Sequence, residues 1–261
     1  MFAKPIIIAN WKMNCSLVEG VRLMGEIRAH VQKNKLISTC VVCPPFTLLR
    51  DFADVVPGTS LKLGAQNCHF ETEGAYTGEI SPTMIKEMGC NFVIVGHSER
   101  RMYFNEGSEA VLKKTVAAQK AGLTAVVCVG ETLFERRNSM AREAVAQQID
   151  YSIPEGSAPS NLIVAYEPVW SIGSDQLPTL QEIHDMHAFI RERVMRKLRG
   201  ASGDAAVVYG GSVNVENAGE ILACPHVDGL LLGRASINAK SFLKILAISD
   251  IQANNMVLVS K

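Results

Sequence analysis

Short apolar runs, many of them rich in β-branched residues, alternate with longer amphipathic stretches from one end of the chain to the other. The runs at Pro5–Asn10, Ser38–Cys43, Leu61–Ala65, Phe92–Val95, Ala125–Val129, Leu162–Glu167, Ala206–Tyr209 and Gly229–Leu232 read as strands. Between them, Leu17–Val31, Ser108–Lys120, Thr132–Ile149 and Thr179–Leu198 carry helical patterns; in the second, Ala110, Val111, Lys114, Ala117 and Ala118 share one mostly apolar face. Strands this short and this continuously apolar are buried on both sides, which requires parallel pairing beneath a cover of helices.

Eight such β/α pairs with no linker and no break in composition predict an α/β fold, a single-domain (β/α)8 TIM barrel. At 261 residues the chain has the length of one such barrel. A doubly wound sheet is the competing architecture, and it often carries a glycine fingerprint after its first strand. Here that turn reads Asn10-Trp11-Lys12-Met13-Asn14, with no glycine, which argues against a dinucleotide fold.

Composition narrows the function classes. Twenty-six basic residues balance twenty-six acidic ones, so there is no basic surface for phosphate backbones and no nucleic-acid partner is expected. The densest basic spots are Arg136-Arg137 and the group Arg191, Arg193, Arg196, Lys197 and Arg199. The second group reads as a solvated helix face alongside Phe189, Ile190, Val194 and Leu198. The apolar run Ile6-Ile7-Ile8 is too short for a signal segment or a membrane span. Seven cysteines, an odd number spread along a long chain, do not make a disulfide framework and fit a reducing cytoplasm. Cys40 and Cys43 form a C-x-x-C pair, but no second Cys or His cluster accompanies them. They read as small buried hydrophobes rather than a metal or redox site.

In a parallel barrel, catalytic groups gather where strands end. Asn10 and Lys12 follow the first strand, His97, Ser98 and Glu99 the fourth, and Glu167 closes the sixth. A lone glutamate there would read as a solvated loop residue. Glu167, however, precedes the apolar loop Pro168-Val169-Trp170-Ser171-Ile172-Gly173, a lid able to exclude water, and this makes it a candidate general base. His97 could be a satisfied core histidine. At a strand end with a helix start behind it, backbone N–H groups favour a neutral imidazole able to polarise a carbonyl. No other histidine sits at ligand spacing near it, so no metal is expected. Asn10 and Lys12 can both point over the barrel mouth, offering an amide and a fixed positive charge to an anion. Gly210-Gly211-Ser212 and Gly233 follow the last two strands, where barrel enzymes often cradle phosphate on backbone N–H groups. The expected ligand is a small phosphate ester.

The segments Ala9–Asn14, Gly96–Arg101, Ala165–Trp170 and Tyr209–Val213 closely resemble the triosephosphate isomerase family. So do Ala65-Gln66-Asn67 with Gly74–Glu79, and Cys128–Thr132. The likeness runs in order over the chain up to about Ile248, leaving a short C-terminal extension from about 249. It implies that Glu167 shuttles a proton through an enediol, that His97 acts as a neutral electrophile, and that Lys12 and Asn10 stabilise the developing charge. Glu99 would support the site near Lys12. The N–H groups of Gly173, Ser212, Gly233 and Arg234 would hold phosphate, and Pro168, Val169, Trp170 and Ile172 would form the lid. Thr77, in the protruding loop Gln66–Glu79, would reach a neighbouring subunit, implying a homodimer. The resemblance implies no cofactor and no metal.

Two departures from the family pattern stand out: Ser174-Asp175 in the lid, where threonine and a second glycine are usual, and Gly233-Arg234 in place of Gly-Gly. They leave room for an isomerase of a four-carbon ketose phosphate. A non-catalytic phosphometabolite-binding barrel is the alternative from another class, but Lys12, His97 and Glu167 are all retained.

Overall fold

In the computed structural model, which describes residues 2–174, 176–199 and 201–259, the eight apolar runs close into a barrel. They are β1 (Ile6–Asn10), β2 (Thr39–Cys43), β3 (Lys62–Ala65), β4 (Phe92–Val95), β5 (Thr124–Val129), β6 (Leu162–Tyr166), β7 (Ala206–Tyr209) and β8 (Gly229–Leu232). Every strand pairs in parallel with its neighbour in the chain. β8 returns to β1 in the register Ile6↔Gly229 to Ala9↔Leu232.

The connecting helices are α1 (Leu17–Asn34), α2 (Phe46–Ala53), α3 (Pro82–Glu87), α4 (Ser98–Tyr103), α5 (Ser108–Lys120), α6 (Leu133–Arg137), α7 (Ala141–Ser152), α8 (Leu180–Lys197), α9 (Ala218–Ala223) and α10 (Ala239–Val259). Ser16, Thr132 and Thr179 each open a helix with a capping box, closed by Glu19, Glu135 and Glu182 respectively. The helix expected over Thr132–Ile149 is in fact two. Ser139 takes a left-handed conformation (φ 58°) that ends α6 and turns the chain into α7. Residues 250–259 run on within α10, and Asp250 ties the helix to the barrel wall. The Asp250 carboxylate accepts the N–H groups of Ile37 and Ser38 at 3.1 and 3.0 Å, and the Ser249 and Ser38 hydroxyls meet at 2.9 Å.

Strand alternation sorts the apolar side chains into two layers. Ile6, Ile8, Val41, Cys43, Phe92, Ile94, Val126, Cys128, Ile163, Ala165, Ala206, Val208 and Leu231 fill the barrel interior, with Phe2 packed on Phe92 (rings 5.4 Å apart). The intervening residues, such as Ile7, Ala9, Val93, Val95 and Tyr166, face the helices in the larger outer core. Cys40 lies in the outer layer and Cys43 in the inner one. Burial pushes both thiols up, Cys40 to about 12, which leaves them unreactive hydrophobes. The solvated face expected of α8 holds only in part: Arg196 is exposed and pairs with Glu192, while Arg193 (with Asp150), Lys197 (with Glu155 at 3.6 Å) and Arg191 (with Asp228 at 2.5 Å) are half-buried. Among the described residues, no helix is long and apolar enough to cross a membrane.

His187, on the inner face of α8, is fully buried beside the rings of Tyr166 and Tyr209. Nδ1 lies 3.2 Å from the His226 carbonyl and Nε2 has no partner. Desolvation pulls its pKa down to about 4. Between pH ~6.5 and ~4 the unfolded chain therefore binds a proton that the folded chain refuses. Stability falls as pH drops through that window, by roughly 3 kcal/mol from this residue. Urea unfolding at pH 7 and pH 4.5 should show a smaller acid loss in His187→Leu than in the parent; equal losses would show that this imidazole is not a source of the pH dependence.

Candidate active site

The same alternation that fills the barrel aims its strand ends. In β6, Ile163 and Ala165 point inward, and Glu167 is next in that series. Its N–H donates to the Val129 carbonyl at 2.8 Å, carrying the ladder one step past the strand. In β1, Ile6 and Ile8 are followed inward by Asn10, whose Oδ1 accepts the Lys12 N–H at 3.1 Å. Lys12 has φ 52°, an uncommon conformation for a side chain with a Cβ. It is held from two sides: Gln66 Nε2 donates to its carbonyl at 2.8 Å, and its ammonium contacts Glu99 Oε1 at 2.5 Å.

His97 should face outward by the parity of Val93 and Val95. Gly96 intervenes with φ 66° and reverses the chain, so the imidazole swings over the mouth. A Cβ on Gly96 would lie 2.9 Å from both the Arg101 guanidinium and the Val111 methyls. His97 then caps α4, its Nδ1 accepting the Glu99 N–H at 3.2 Å.

These turns bring Glu167 and His97 into contact. Nε2 lies 2.9 Å from Glu167 Oε1, while Oε2 accepts the Ser98 N–H at 3.0 Å. Both side chains are almost fully buried. Burial pushes the Glu167 pKa up, but His97, the Ser98 N–H and the Lys12 charge together outweigh it, and the carboxyl is held below its ordinary value. For His97, burial opposes the charged ring, and the carboxylates of Glu167 and Glu99 more than offset it, so its pKa lies above the ordinary value. The proton in this contact is the one on Nε2, because a backbone N–H already occupies the Nδ1 lone pair. When neutral, the ring therefore donates from Nε2 to the carboxylate; the expected lowering of its pKa by the helix start is not seen, because the carboxylates beside it raise it. The upward pull on the ring, however, depends on the Glu167 contact. Space for the Glu167 backbone comes from Gly130, where a Cβ would stand 1.7 Å from the Glu167 carbonyl oxygen.

The expected phosphate donors lie at the other side of the mouth. Gly173 (φ 70°) is exposed in the lid, and the Ser212 hydroxyl donates to the Ser171 carbonyl at 2.7 Å. A Cβ on Gly233 would come within 3.2 Å of Lys12 Cε, so this corner borders the lysine. Among the described residues, the N–H groups of Gly173, Ser212, Gly233 and Arg234 donate to no protein acceptor. The Arg234 side chain is exposed. In the lid, Pro168 is buried, Val169, Trp170 and Ile172 are half-buried, and Asp175 lies outside the described residues. Thr77 stands in the exposed stretch 71–79, hydrogen-bonded to none of the other candidate residues.

Three contributors escaped the sequence reading: Gln66, which grips Lys12; the Ser98 N–H, which holds Glu167; and Glu131 at the end of β5. Glu131 is fully buried and accepts from Tyr166 Oη at 3.1 Å and Trp170 Nε1 at 2.7 Å. The strand-end rule that singled out Glu167 applies equally to Glu131, which lies two residues past Val129.

Comparison with known proteins agrees with this geometry. The sequence model of one family, described as triosephosphate isomerase, matches residues 5–249. The chain is 43% identical to triosephosphate isomerase of Herpetosiphon aurantiacus, covering 93% of this chain and 98% of that protein. With triosephosphate isomerase of Granulibacter bethesdensis it shares 42% identity over 94% of this chain and 99% of the other. The crystal structure of triosephosphate isomerase from Bartonella henselae superposes with a TM-score of 0.85 at 40% identity, covering 94% of this chain and 98% of that one.

The His97 contact can be tested directly. Nitrogen-15 NMR of the free protein should show a titration above that of an ordinary imidazole and, once the ring is neutral, Nε2 protonated and Nδ1 bare, and Glu167→Gln should move the titration to lower pH. A neutral ring with its proton on Nδ1, or a titration that Glu167→Gln leaves in place, would contradict the assignment.

Proposed function

The chain belongs to the triosephosphate isomerase family and is an aldose–ketose isomerase; on that premise we propose that Glu167 carries its proton transfer between dihydroxyacetone phosphate and D-glyceraldehyde 3-phosphate. The observation that carries this reading is the meeting of a carboxylate held below its ordinary pKa, an imidazole and an ammonium group at one barrel mouth.

The substrate takes the place that Glu167 occupies against His97. Glu167 removes a proton from the carbon bearing the hydroxyl, and the electron pair moves onto the adjacent carbonyl oxygen. That oxygen accepts the Nε2–H of His97 and lies under the field of the Lys12 ammonium and the Asn10 amide. His97 gives its Nε2 proton to that oxygen and takes the hydroxyl proton of the neighbouring oxygen, so the negative charge moves to the first carbon's oxygen; as that oxygen becomes the aldehyde carbonyl, the carboxylic acid returns its proton to the second carbon. Once His97 bonds to substrate it stops pulling the Glu167 pKa down, while burial remains. The carboxylate thereby becomes a stronger base when it is needed. His97 in turn loses the contact that raises its own pKa and keeps the Glu99 N–H, which favours the neutral ring. Glu99 positions Lys12. The four backbone N–H groups of Gly173, Ser212, Gly233 and Arg234 hold the phosphate, and Pro168, Val169, Trp170 and Ile172 cover it. The mechanism needs neither metal nor cofactor, because one carbon is oxidised as its neighbour is reduced.

The working unit in this reading is a homodimer. Among the described residues, none of the exposed stretch 71–79 that carries Thr77 hydrogen-bonds to the candidate catalytic residues of its own chain. Met13 (96% exposed), Tyr76, Met84, Met102 and Phe104 (66% exposed) put apolar surface around the catalytic face. A reducing cytoplasm suits the chain's seven free cysteines.

A coupled assay offering dihydroxyacetone phosphate and a tetrulose phosphate in parallel should give the higher kcat/KM with the triose. Glu167→Asp, which shortens the reach to carbon, should slow turnover roughly a hundredfold or more while binding persists. Preference for the tetrulose phosphate would reassign the substrate, and undiminished turnover in Glu167→Asp would remove the base.

The dimer is checked by dilution. Thr77→Glu should shift sedimentation toward monomer and lower the activity per protomer, recovering as concentration rises. A fully active monomer would refute the loop's role.

A further inference from the structure

Arg136 stood out in the sequence only as part of a basic pair. Its guanidinium lies 4.2 Å from the centroid of the Trp170 ring and reaches Glu131 Oε1 at 3.5 Å, the same oxygen that accepts the indole N–H at 2.7 Å. Its other arm pairs with Glu182 Oε1. Glu182 is no ordinary surface carboxylate. Its Oε2 accepts the N–H of Thr179 at 2.8 Å and its hydroxyl at 3.1 Å, fixing the point where the lid gives way to α8. One half-buried cation thus touches both ends of the lid: the tryptophan three residues past Glu167, and the carboxylate that caps the following helix.

We propose that Arg136 is a positioning residue that couples the two ends of the lid, so that a change at the Thr179–Glu182 cap is felt at Trp170 and at the carboxylate beside it. The physical basis is the shared guanidinium. Its planar face is committed to the indole and its edges to two carboxylates, so neither contact can shift without loosening the other. Glu131 makes the coupling asymmetric. It is fully buried, burial pushes its pKa up, and among the described residues Oε2 has no partner, so it depends on the Tyr166, Trp170 and Arg136 donors to stay in place. The lid's role in catalysis belongs to the proposed function; the coupling itself does not.

Fluorine-19 NMR of protein labelled with 5-fluorotryptophan reads that coupling without any turnover. The chain has two tryptophans, and the other, Trp11, is buried against Phe52 away from this cluster. Glu182→Gln should move the Trp170 resonance in the parent protein and leave it unmoved in an Arg136→Ala background. Arg136→Lys, which keeps the charge but not the planar stack, should give a smaller displacement than the parent arginine. In steady-state assays with dihydroxyacetone phosphate, Glu182→Gln and Trp170→Phe should combine non-multiplicatively on kcat/KM in the parent. In Arg136→Ala they should combine multiplicatively. A Trp170 resonance indifferent to Glu182→Gln in the parent, or equally sensitive with Arg136 removed, would overturn the proposal. So would an Arg136→Ala variant that loses only thermal stability, with resonance and kinetic coupling unchanged. If the chain turned over no triose phosphate, the proposed function would fail while the resonance test stood on its own.

Discussion

A carboxylate inside a protein stays charged only if donors replace the water it has lost, and the rest of this site follows from how Glu167 meets that demand. Burial alone would push its proton on. The His97 Nε2, the Ser98 N–H and the field of Lys12 hold it off. His97 and Ser98 follow β4 and Lys12 follows β1, while Glu167 closes β6, so the charge state of one side chain depends on strand ends from around the barrel. The features that look costly in isolation serve that placement. Gly96 reverses the chain so that a histidine of outward parity faces in. Gly130 leaves room for the Glu167 backbone. Lys12 accepts a left-handed backbone because Gln66 and Glu99 hold both its carbonyl and its ammonium group.

The closed fold makes this affordable only because the interior is otherwise apolar. Below the mouth, Ile6, Ile8, Ile94, Val126, Ile163 and Val208 pack together in one apolar layer. Polar groups enter where the strands stop, and each finds a partner set by an adjacent loop. The Glu131 cluster with Tyr166, Trp170 and Arg136 repeats the arrangement one strand over: a buried acid surrounded by donors, here attached to the lid instead of the substrate.

Much of this was legible in the sequence. Eight continuously apolar runs can only be strands covered on both faces, and period-two alternation within them determines which residue reaches the mouth, as Glu167 and Asn10 do. The break between α6 and α7 was not legible, because Ser139 takes a left-handed turn without the glycine that usually marks one. The helices α2, α3, α4 and α9 span too few turns to print a clear period. His97 could be placed at a strand end, but its inward direction depends on the φ of Gly96, which residue identity permits without requiring. Glu131 carried the same strand-end signal as Glu167, whereas Arg136 acts through contacts with elements far apart in the chain, and nothing local distinguishes it from a surface charge.

The central claim, that Glu167 moves a proton between two substrate carbons, is tested most directly by running the reaction in deuterium oxide and following the triose phosphates by proton NMR. Deuterium from solvent should appear at the reacting carbons of the triose phosphates, entering through the exchangeable carboxyl proton, and should disappear in Glu167→Gln together with turnover. Isomerisation that carries the original hydrogen across with no solvent label, or labelling that survives without the carboxylate, would contradict it.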